Sequence, residues 1–387
     1  MSSATGVTAA RGFRASGVAA GLKSSGEPDV AVVVNDGPMS TAAAVFTGNR
    51  CKANPVLWSA EAIKAGSARA VAINSGGANC YTGPAGYAVT HATADLVAEL
   101  LGIGPIEVQI CSTGLIGMLN DRDDLLSGVR AAVKSLDPQG GPAAAEAIMT
   151  TDSVPKLSVA TRDGYTIGGM AKGAGMLAPA LATMLVVITT DAVLEPGEAD
   201  AALRAATRTT FDRLDSDGCQ STNDTVLLMA SGASAEVPEP AEFAEALQEV
   251  CQDLALQLLA DAEGADHEIT IDVVNAASED DAVEVGRSIA RSNLFKCAVF
   301  GKDPNWGRVL ASVGTTDAAF DPADLDVALN DVWVCRNSGP GEPAESVSLE
   351  DRAVSVTVDL KAGDARASVW TNDLTHAYVH ENSAYST

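Results

Sequence analysis

The chain has 387 residues, which is long for a single hydrophobic core, so we expect two domains or two large lobes with a sizeable buried interior. Its 25 basic and 51 acidic side chains give a formal net charge of −26. A charge of this sign and size excludes nucleic-acid phosphates and anionic membrane surfaces as partners.

Seven cysteines are scattered along the chain without any Cys-x-x-Cys pair, an arrangement typical of reduced thiols in a cytoplasmic protein. The segment 1–17 has no apolar core of signal-peptide length, and no run approaches the roughly 20 apolar residues of a membrane span. We therefore expect a soluble cytoplasmic protein.

Short apolar runs rich in valine and isoleucine predict strands. In chain order they cover 30–34, 70–73, 106–110, 184–188, 225–229, 269–274, 354–358 and 367–370. Between them, apolar side chains recur at helical spacing and predict helices over 89–100, 125–136 and 243–258. Proline and glycine predict turns at 137–142 and 338–343. The fold class is mixed α/β (α+β).

The segment 172–185, Lys-Gly-Ala-Gly-Met-Leu-Ala-Pro-Ala-Leu-Ala-Thr-Met-Leu, brings Thr183 to the start of an apolar run. This layout suits a self-cleaving threonine nucleophile, because breaking the bond between Ala182 and Thr183 frees an α-amine that can act as the local base. Alternatively, Thr183 is simply the first residue of a buried strand, where β-branched residues are common. Spacing alone favours the second interpretation.

Six segments, in the same order, resemble the signatures of the ornithine acetyltransferase (glutamate N-acetyltransferase, ArgJ) family. They are Cys-Ser-Thr-Gly-Leu-Ile-Gly at 111–117, Ile-Met-Thr-Thr-Asp at 148–152, Lys-Gly-Ala-Gly-Met at 172–176, Ala-Thr-Met-Leu at 182–185, Asp-Pro-Asn-Trp-Gly-Arg at 303–308 and Glu-Asn-Ser-Ala-Tyr at 381–385. Six ordered matches are far more specific than one short motif.

The resemblance implies an αββα layered sandwich that cleaves itself into an alpha chain, 1–182, and a beta chain, 183–387. The two chains are expected to stay packed together, and the family assembles as a heterotetramer with two copies of each. Under this interpretation Thr183 is the nucleophile, the cleavage lies between Ala182 and Thr183, and the small Ala182 leaves the scissile carbonyl accessible.

Acyl transfer also needs hydrogen-bond donors where negative charge develops on the carbonyl oxygen. By resemblance Thr113 and Gly114 form this oxyanion hole. The segment 111–114 directly follows a predicted strand, so we expect a turn that presents the Thr113 hydroxyl and the Gly114 amide. Without the resemblance, the segment 111–114 is typical of an ordinary strand-to-turn connection.

We expect Lys172 to bind the substrate carboxylate, because the glycines that follow it leave the backbone close to the ligand. By resemblance Thr150, Lys172 and Thr183 contact substrate, Glu263 faces its cationic end, and Asn382 and Thr387 reach the site from a C-terminal tail that folds over it. From the residues alone, a lysine in a loop or a glutamate after a helix is usually solvated.

His376 and His380 have the i, i+4 spacing of a metal pair, but no third ligand accompanies them, so we expect surface histidines. His380 also departs from the family pattern, which has another polar and often acidic residue there. We expect Asn305 and Arg308 to be structural partners in a rigid turn near the site, and 74–79 to be a loop after a strand.

The predicted function is transfer of an acetyl group from N2-acetylornithine to glutamate through an acetyl-threonine intermediate, with acetyl-CoA as an optional second donor and no metal or bound cofactor. A self-processed amidohydrolase or aminopeptidase with the same nucleophile is the main alternative. The second alternative is a binding protein that has this fold but catalyses no reaction. Serine-hydrolase elbows, phosphate loops and dinucleotide fingerprints are absent from the sequence.

Overall fold

The computed structural model describes residues 5–176 and 184–384. Within them, fifteen strands run as β1 Phe13–Val18, β2 Val30–Asn35, β3 Thr41–Phe46, β4 Ala70–Gly77, β5 Val108–Leu115, β6 Lys156–Thr161, β7 Thr166–Lys172, β8 Leu185–Thr190, β9 Thr225–Ala230, β10 Glu268–Ala276, β11 Asp326–Leu329, β12 Val332–Arg336, β13 Gly339–Pro340, β14 Ala353–Asp359 and β15 Ala365–Asn372. The α-helices are α1 Asn54–Ala62, α2 Gly83–Leu101, α3 Arg122–Lys134, α4 Gly141–Ala147, α5 Pro196–Thr209, α6 Pro240–Ala260, α7 Glu279–Ala290, α8 Asn293–Phe300, α9 Trp306–Val313 and α10 His376–Ala384.

Two sheets lie face to face at the centre of the molecule. The four-stranded sheet has the order β1-β2-β4-β5 and the five-stranded sheet the order β3-β9-β8-β7-β6. Val33 and Ile73 of the first sheet pack with Met170, Val187 and Leu227 of the second in one buried cluster. Burying side chains of this kind stabilises the fold by about 1.5–3 kcal/mol each.

Helices cover the outer face of each central sheet. Val97 of α2 and Val129 of α3 pack against Val32 of the four-stranded sheet, while Leu203 of α5 and Leu254 of α6 belong to the cluster beneath the five-stranded sheet. The order is helix, sheet, sheet, helix, so the predicted αββα sandwich is confirmed. Strands β8 and β9 are buried along their whole length because both faces are covered.

A third sheet lies outside the predicted sandwich. It has six strands in the order β13-β12-β11-β14-β10-β15 and a separate core shared with α7, α8 and α9. Because β10 and β15 are antiparallel, with Glu268 opposite Asn372, the residues just before β10 lie beside those just after β15. This register brings the α6–β10 connection next to α10.

The five-stranded sheet joins the chain on both sides of Thr183. Strands β3, β6 and β7 precede that residue, β8 and β9 follow it, and β7 pairs with β8 so that Lys172 lies opposite Leu185. The predicted boundary between 1–182 and 183–387 therefore runs through a sheet. The bond itself lies outside the described residues.

The structure corrects several local predictions. Both 111–114 and most of 74–79 belong to strands, because β4 and β5 continue as a parallel pair to Gly77 and Leu115. Lys172 ends β7 and does not lie in a loop. The predicted strand over 106–110 begins only at Val108, after the 3-10 turn Pro105–Glu107. Of the predicted turns, 137–142 leads into α4, and 338–343 contains the short strand β13.

Candidate active site

A cavity of about 490 Å³ opens where the ends of β5 and β7 meet the α6–β10 connection and α10. Six of the predicted site residues line it: Thr113, Gly114, Thr150, Lys172, Glu263 and Asn382. They come from positions as far apart as 113 and 382. The remaining two predicted residues, Thr183 and Thr387, lie outside the described residues.

Glycines bring the ends of β4 and β5 together at the cavity wall. Gly76 lies opposite Gly114 in the parallel pair. Gly114 has φ +120°, and a Cβ atom there would lie 2.5 Å from the Gly76 carbonyl oxygen. Only glycine tolerates both the backbone angle and the contact, so this residue type is required by the geometry. The neighbouring Thr113 is buried, with 2% of its surface exposed.

Lys172 connects two threonine hydroxyls on the cavity wall. Its Nζ donates to Thr113 Oγ1 at 3.2 Å and to Thr150 Oγ1 at 2.7 Å. Burial lowers the pKa of the ammonium group, and the nearby Asp152 carboxylate opposes that fall. Since the Thr113 oxygen accepts from an ammonium, its own O–H is left to donate, as an oxyanion-hole hydroxyl must.

Asp152 is the buried counter-charge behind this wall. Its carboxylate accepts from Lys156 Nζ at 2.7 Å, from the Gly173 amide at 2.5 Å and from the Thr150 amide at 3.0 Å, and it lies 4.0 Å from Lys172 Nζ. Burial alone would raise the pKa of Asp152, but the two lysines and the Gly173 amide outweigh it and lower the pKa to about 2. The carboxylate therefore stays ionised.

Lys156 extends the network to solvent through a second carboxylate. It begins β6 on the same sheet edge where β7 ends, and its Nζ also donates to Asp261 Oδ2 at 2.6 Å. Asp261 in turn accepts from the Ser153 amide at 2.9 Å. These contacts fix the 150–153 segment. Sequence reasoning missed Lys156 because its role depends on strand register, which no local pattern reveals.

Glu263 forms the acidic wall of the cavity. Its amide donates to the Ala174 carbonyl at 2.9 Å, and its carboxyl oxygens lie 2.8 Å from where a Gly175 Cβ atom would stand. Burial raises the pKa of Glu263, hydrogen bonds from Thr151 and Asn382 lower it, and the charge of Asp217 raises it further. An ionised Glu263 would provide a partner for a cationic group in the cavity.

Helix α10 carries Asn382 to the cavity. Its first turn is capped by Thr375, whose Oγ1 accepts from the Tyr378 amide at 2.9 Å and donates to the Gly264 carbonyl at 2.5 Å. The Tyr378 hydroxyl donates to Asp217 at 2.7 Å. These bonds dock the helix beside Glu263. The described part of the tail, which ends at residue 384, thus brings Asn382 to the cavity wall.

The two histidines of α10 lie on the surface, as expected. His376 and His380 are exposed, and no group of three or more His, Cys, Asp or Glu side chains within residues 5–176 and 184–384 is arranged to hold a metal ion. Asn305 caps α9 by accepting from the Arg308 amide at 3.3 Å, and Arg308 donates to the Leu294 carbonyl at 2.6 Å. Both are structural partners, as predicted, but neither lines the cavity.

A polar loop at 221–224, directly before β9, was not predicted to serve the site. Asn223 Nδ2 donates to the Ala78 carbonyl at 2.6 Å and to the Ser112 carbonyl at 2.8 Å, which holds the end of β5. Asp224 Oδ1 accepts from the Met184 amide at 3.1 Å, and burial raises the pKa of Asp224 well above its ordinary range. The loop thus holds the residues before Thr113 and those after Thr183. Its signal in the sequence is four consecutive polar residues before a buried strand.

Lys23 is a second part of the site that the sequence analysis did not predict. It lines the cavity from the β1–β2 connection, far in sequence from every motif singled out above. With it, the cavity has two ammonium groups, of Lys23 and Lys172, and hydroxyl donors on one side and a carboxyl group on the other. Such a site suits a zwitterionic or amino-acid ligand undergoing acyl transfer.

Comparison with known proteins settles the family. The sequence model of the ArgJ family matches residues 14–387. The chain belongs to the ArgJ family. The resemblance inferred from six short segments is confirmed over almost the whole chain.

Curated relatives in the ArgJ family match this chain along nearly its full length. The arginine biosynthesis bifunctional protein ArgJ of Streptomyces coelicolor is 63% identical over 380 residues, which cover 98% of this chain and 99% of that protein. The Mycobacterium leprae protein of the same name is 55% identical over 392 residues, 99% and 96% of the two chains. A crystal structure of ornithine acetyltransferase complexed with ornithine, from Mycobacterium tuberculosis, is 53% identical over 46% of this chain and 96% of the solved chain, with a TM-score of 0.45.

None of the helices in the described part of this ArgJ-family chain has the length and apolarity needed to cross a bilayer.

Proposed function

We propose that this ArgJ-family chain is an acetyltransferase of arginine biosynthesis that moves the acetyl group of N2-acetylornithine to glutamate. The observation that carries the proposal is its 63% identity, along almost the whole of both chains, to a protein named for arginine biosynthesis and for two activities. The cavity supplies the physical counterpart, because its cationic and acidic walls match the carboxylate and the ammonium of acetylornithine.

The nucleophile in this proposal is Thr183. Its hydroxyl attacks the carbonyl of Ala182, the resulting ester is hydrolysed by water, and Thr183 is left with a free α-amine. That amine has an unperturbed pKa of roughly 7.7–8.0 and can take the proton of the neighbouring hydroxyl. The polar loop at 221–224 supports this assignment, since Asp224 holds the amide of the next residue, Met184.

In the first half-reaction, the Thr183 oxygen attacks the acetyl carbonyl of N2-acetylornithine and its proton passes to the α-amine. The Thr113 hydroxyl and the Gly114 amide stabilise the oxyanion, a contribution typically worth about a hundredfold or more in rate for each donor. Collapse of the tetrahedral intermediate breaks the amide bond. Ornithine leaves with the proton, and the acetyl group stays on Thr183 as an ester.

In the second half-reaction, the amine of glutamate attacks this ester through the same oxyanion site, and N-acetylglutamate leaves. One acyl bond is exchanged for another, so the reaction needs no external energy source, and the covalent intermediate divides it into two easier steps. The chemistry requires no metal or bound cofactor. In the second activity, acetyl-CoA acetylates Thr183 and glutamate accepts the group.

The substrate contacts in this proposal are Thr150, Lys172 and Thr183 on one side and Glu263, Asn382 and Thr387 on the other. Lys172 also polarises Thr113 through the 3.2 Å bond. We further propose that the enzyme is cytoplasmic and that the two fragments assemble as a heterotetramer, two copies of each. The shared five-stranded sheet supports fragments that remain together.

Intact mass under denaturing conditions, followed by N-terminal sequencing, tests the nucleophile. Two fragments in equal amount, one beginning at Thr183, are expected from the wild-type protein. Thr183→Ala should give one uncleaved, inactive chain, and Thr183→Ser should keep some cleavage and transfer because a hydroxyl remains. A Thr183→Ala protein that splits at the same bond and transfers acetyl groups would refute the assignment.

Product analysis separates transfer from hydrolysis. Incubation of the cleaved protein with N2-acetylornithine and glutamate should yield ornithine and N-acetylglutamate in equal amounts. Ornithine and free acetate at a rate independent of glutamate would instead identify the self-processed amidohydrolase.

A further inference from the structure

Lys23 reaches the cavity from the loop that joins β1 to β2. It is half-buried and lines the cavity together with Leu22, next to the ends of β4 and β5. Leu22 packs so closely on Gly76 that a Cβ atom at Gly76 would lie 2.8 Å from the Leu22 Cβ. Gly76 in turn faces Gly114 across the strand pair. The loop therefore lies on the oxyanion side of the cavity.

Asp29 holds this loop in a defined conformation. Its carboxylate accepts from the backbone amides of Ala20 at 2.6 Å, Leu22 at 2.6 Å and Lys23 at 3.0 Å. Both carboxylate oxygens are occupied by these amides, and Asp29 is fully buried. Asp29 thus fixes the backbone of this loop. Within the described residues, its carboxylate forms no ion pair with the Lys23 ammonium.

The ammonium of Lys23 keeps hydrogen-bonding capacity for a ligand. Its Nζ donates to the Pro28 carbonyl at 2.8 Å, and an ammonium has three donors. Burial lowers the pKa of Lys23, the charge of Asp29 opposes that fall, and the charge of Lys172 adds to it. A bound anion would oppose the effects of burial and of Lys172. Lys172, in contrast, already donates to Thr113 and Thr150 and is only 1% exposed.

The chemistry of the substrates fixes which anion fits here. In N2-acetylornithine, the amide nitrogen and the carboxylate share the α-carbon, so the carboxylate must lie close to the oxyanion hole when the acetyl carbonyl occupies it. The δ-ammonium lies at the far end of the side chain and can reach Glu263. Glutamate presents the same α-carboxylate in the second half-reaction.

We propose that Lys23 binds the α-carboxylate of the amino-acid substrates and so contributes to both half-reactions. This proposal rests on the proposed acetyl transfer and deepens it, since it adds a substrate-binding residue outside the predicted motifs. Lys23 selects for α-amino acids with a free carboxylate, while Glu263 faces the δ-ammonium of N2-acetylornithine.

The test measures kcat and KM of Lys23→Gln and Lys23→Arg with N2-acetylornithine, with glutamate as acceptor, and with N2-acetylornithinamide, whose α-carboxylate is replaced by a neutral amide. For Lys23→Gln we expect KM to rise about ten- to a hundredfold for both natural substrates, the range for a lost charged hydrogen bond, with kcat changed much less. The amide analogue should bind wild type and Lys23→Gln equally. Lys23→Arg should retain most of the affinity, because it keeps the charge.

Lys64→Gln is the matched control. Lys64 is 68% exposed, pairs with Glu61 and does not line the cavity, so its loss should leave both KM values unchanged. Thermal unfolding checks that each variant is folded, and Lys23→Met, which keeps the apolar stem, replaces the glutamine variant if that protein does not fold.

Three results would overturn the inference. Unchanged KM values in Lys23→Gln would remove Lys23 from substrate binding, and an equal loss with the amide analogue would make its role structural. A rise in KM for glutamate alone would indicate that Lys23 contacts the γ-carboxylate of glutamate and not the α-carboxylate. A wild-type protein that transfers no acetyl group would instead refute the proposed function itself.

Discussion

Asp152→Asn removes the buried negative charge between Lys156 and Lys172 while keeping the shape of the side chain. The pKa of Asp152, about 2 in the folded protein against an ordinary 3.8, corresponds by linkage to about 2.5 kcal/mol of stabilisation at neutral pH. This contribution is complete above pH 3.8 and is lost as the pH falls towards 2. The substitution should cost more than that value.

Two further interactions are lost together with the negative charge of Asp152. The asparagine has one oxygen in place of two, so its NH2 group must face either the Gly173 amide or the Thr150 amide, each of which donates to Asp152 in the native protein. Lys172 is left buried without this counter-charge. We expect a loss of about 3–5 kcal/mol, the range for removing one partner of a buried ion pair.

Urea unfolding at pH 7 measures the loss, with Asp261→Asn as the matched control. Asp261 also binds Lys156, at 2.6 Å, but its side chain is 11% exposed and Lys156 would retain Asp152. The control should therefore lose less than half as much. A free energy of unfolding for Asp152→Asn within about 1 kcal/mol of the wild-type value would refute the reasoning that Asp152 neutralises a buried lysine pair.

Three other substitutions probe the cavity walls. Gly114→Ala should lower kcat about a hundredfold or more, because the added Cβ atom would collide with Gly76 on the paired strand β4. Gly117→Ala is the control, since Gly117 also has a positive φ but has nothing within 4 Å, and it should remain active. Equal losses in the two variants would indicate backbone strain alone. The KM for N2-acetylornithine should rise as the pH falls through the pKa of Glu263, which lies above its ordinary 4.5, because protonation removes the charge that faces the δ-ammonium. In Glu263→Gln the KM should be high at every pH. A KM that still changes with pH in this variant would contradict the assignment of Glu263. Asn223→Ala should lower kcat and cost about 1–3 kcal/mol in urea unfolding, since the Ser112 carbonyl loses a buried donor; unchanged values would show that the loop does not position β5.

The apolar runs of the sequence predicted five of the nine strands in the two central sheets, β2, β4, β5, β8 and β9. Strands β8 and β9 were predicted because they are buried on both faces, so that every side chain is apolar or a small hydroxyl. Strands β1, β3, β6 and β7 were not predicted, and β6 and β7 show the reason most clearly. They place lysines at Lys156 and Lys172 and glycines at 168 and 169, residues that the surrounding packing stabilises in a strand but that local propensity does not favour.

Six of the eight predicted site residues line one cavity, yet no spacing rule would have assembled them. Thr113 and Lys172 meet because β5 and β7 belong to facing sheets, and Glu263 approaches Asn382 because β10 and β15 pair in a particular register. The family resemblance supplied what local patterns lacked. Lys23 and Asn223 lay outside its quoted motifs and became visible only through three-dimensional contacts.

The strand order of the five-stranded sheet also bears on when the chain can be cut. Hydrogen bonds between β7 and β8 close a short connection, and closing a short loop costs little entropy. Two pieces made separately would have to find each other in solution before either could complete that sheet, with the unpaired edges of β7 and β8 exposed to aggregation in the meantime. An uncut precursor avoids this search, so under the proposed self-cleavage the chain folds first as one polypeptide and is cut last.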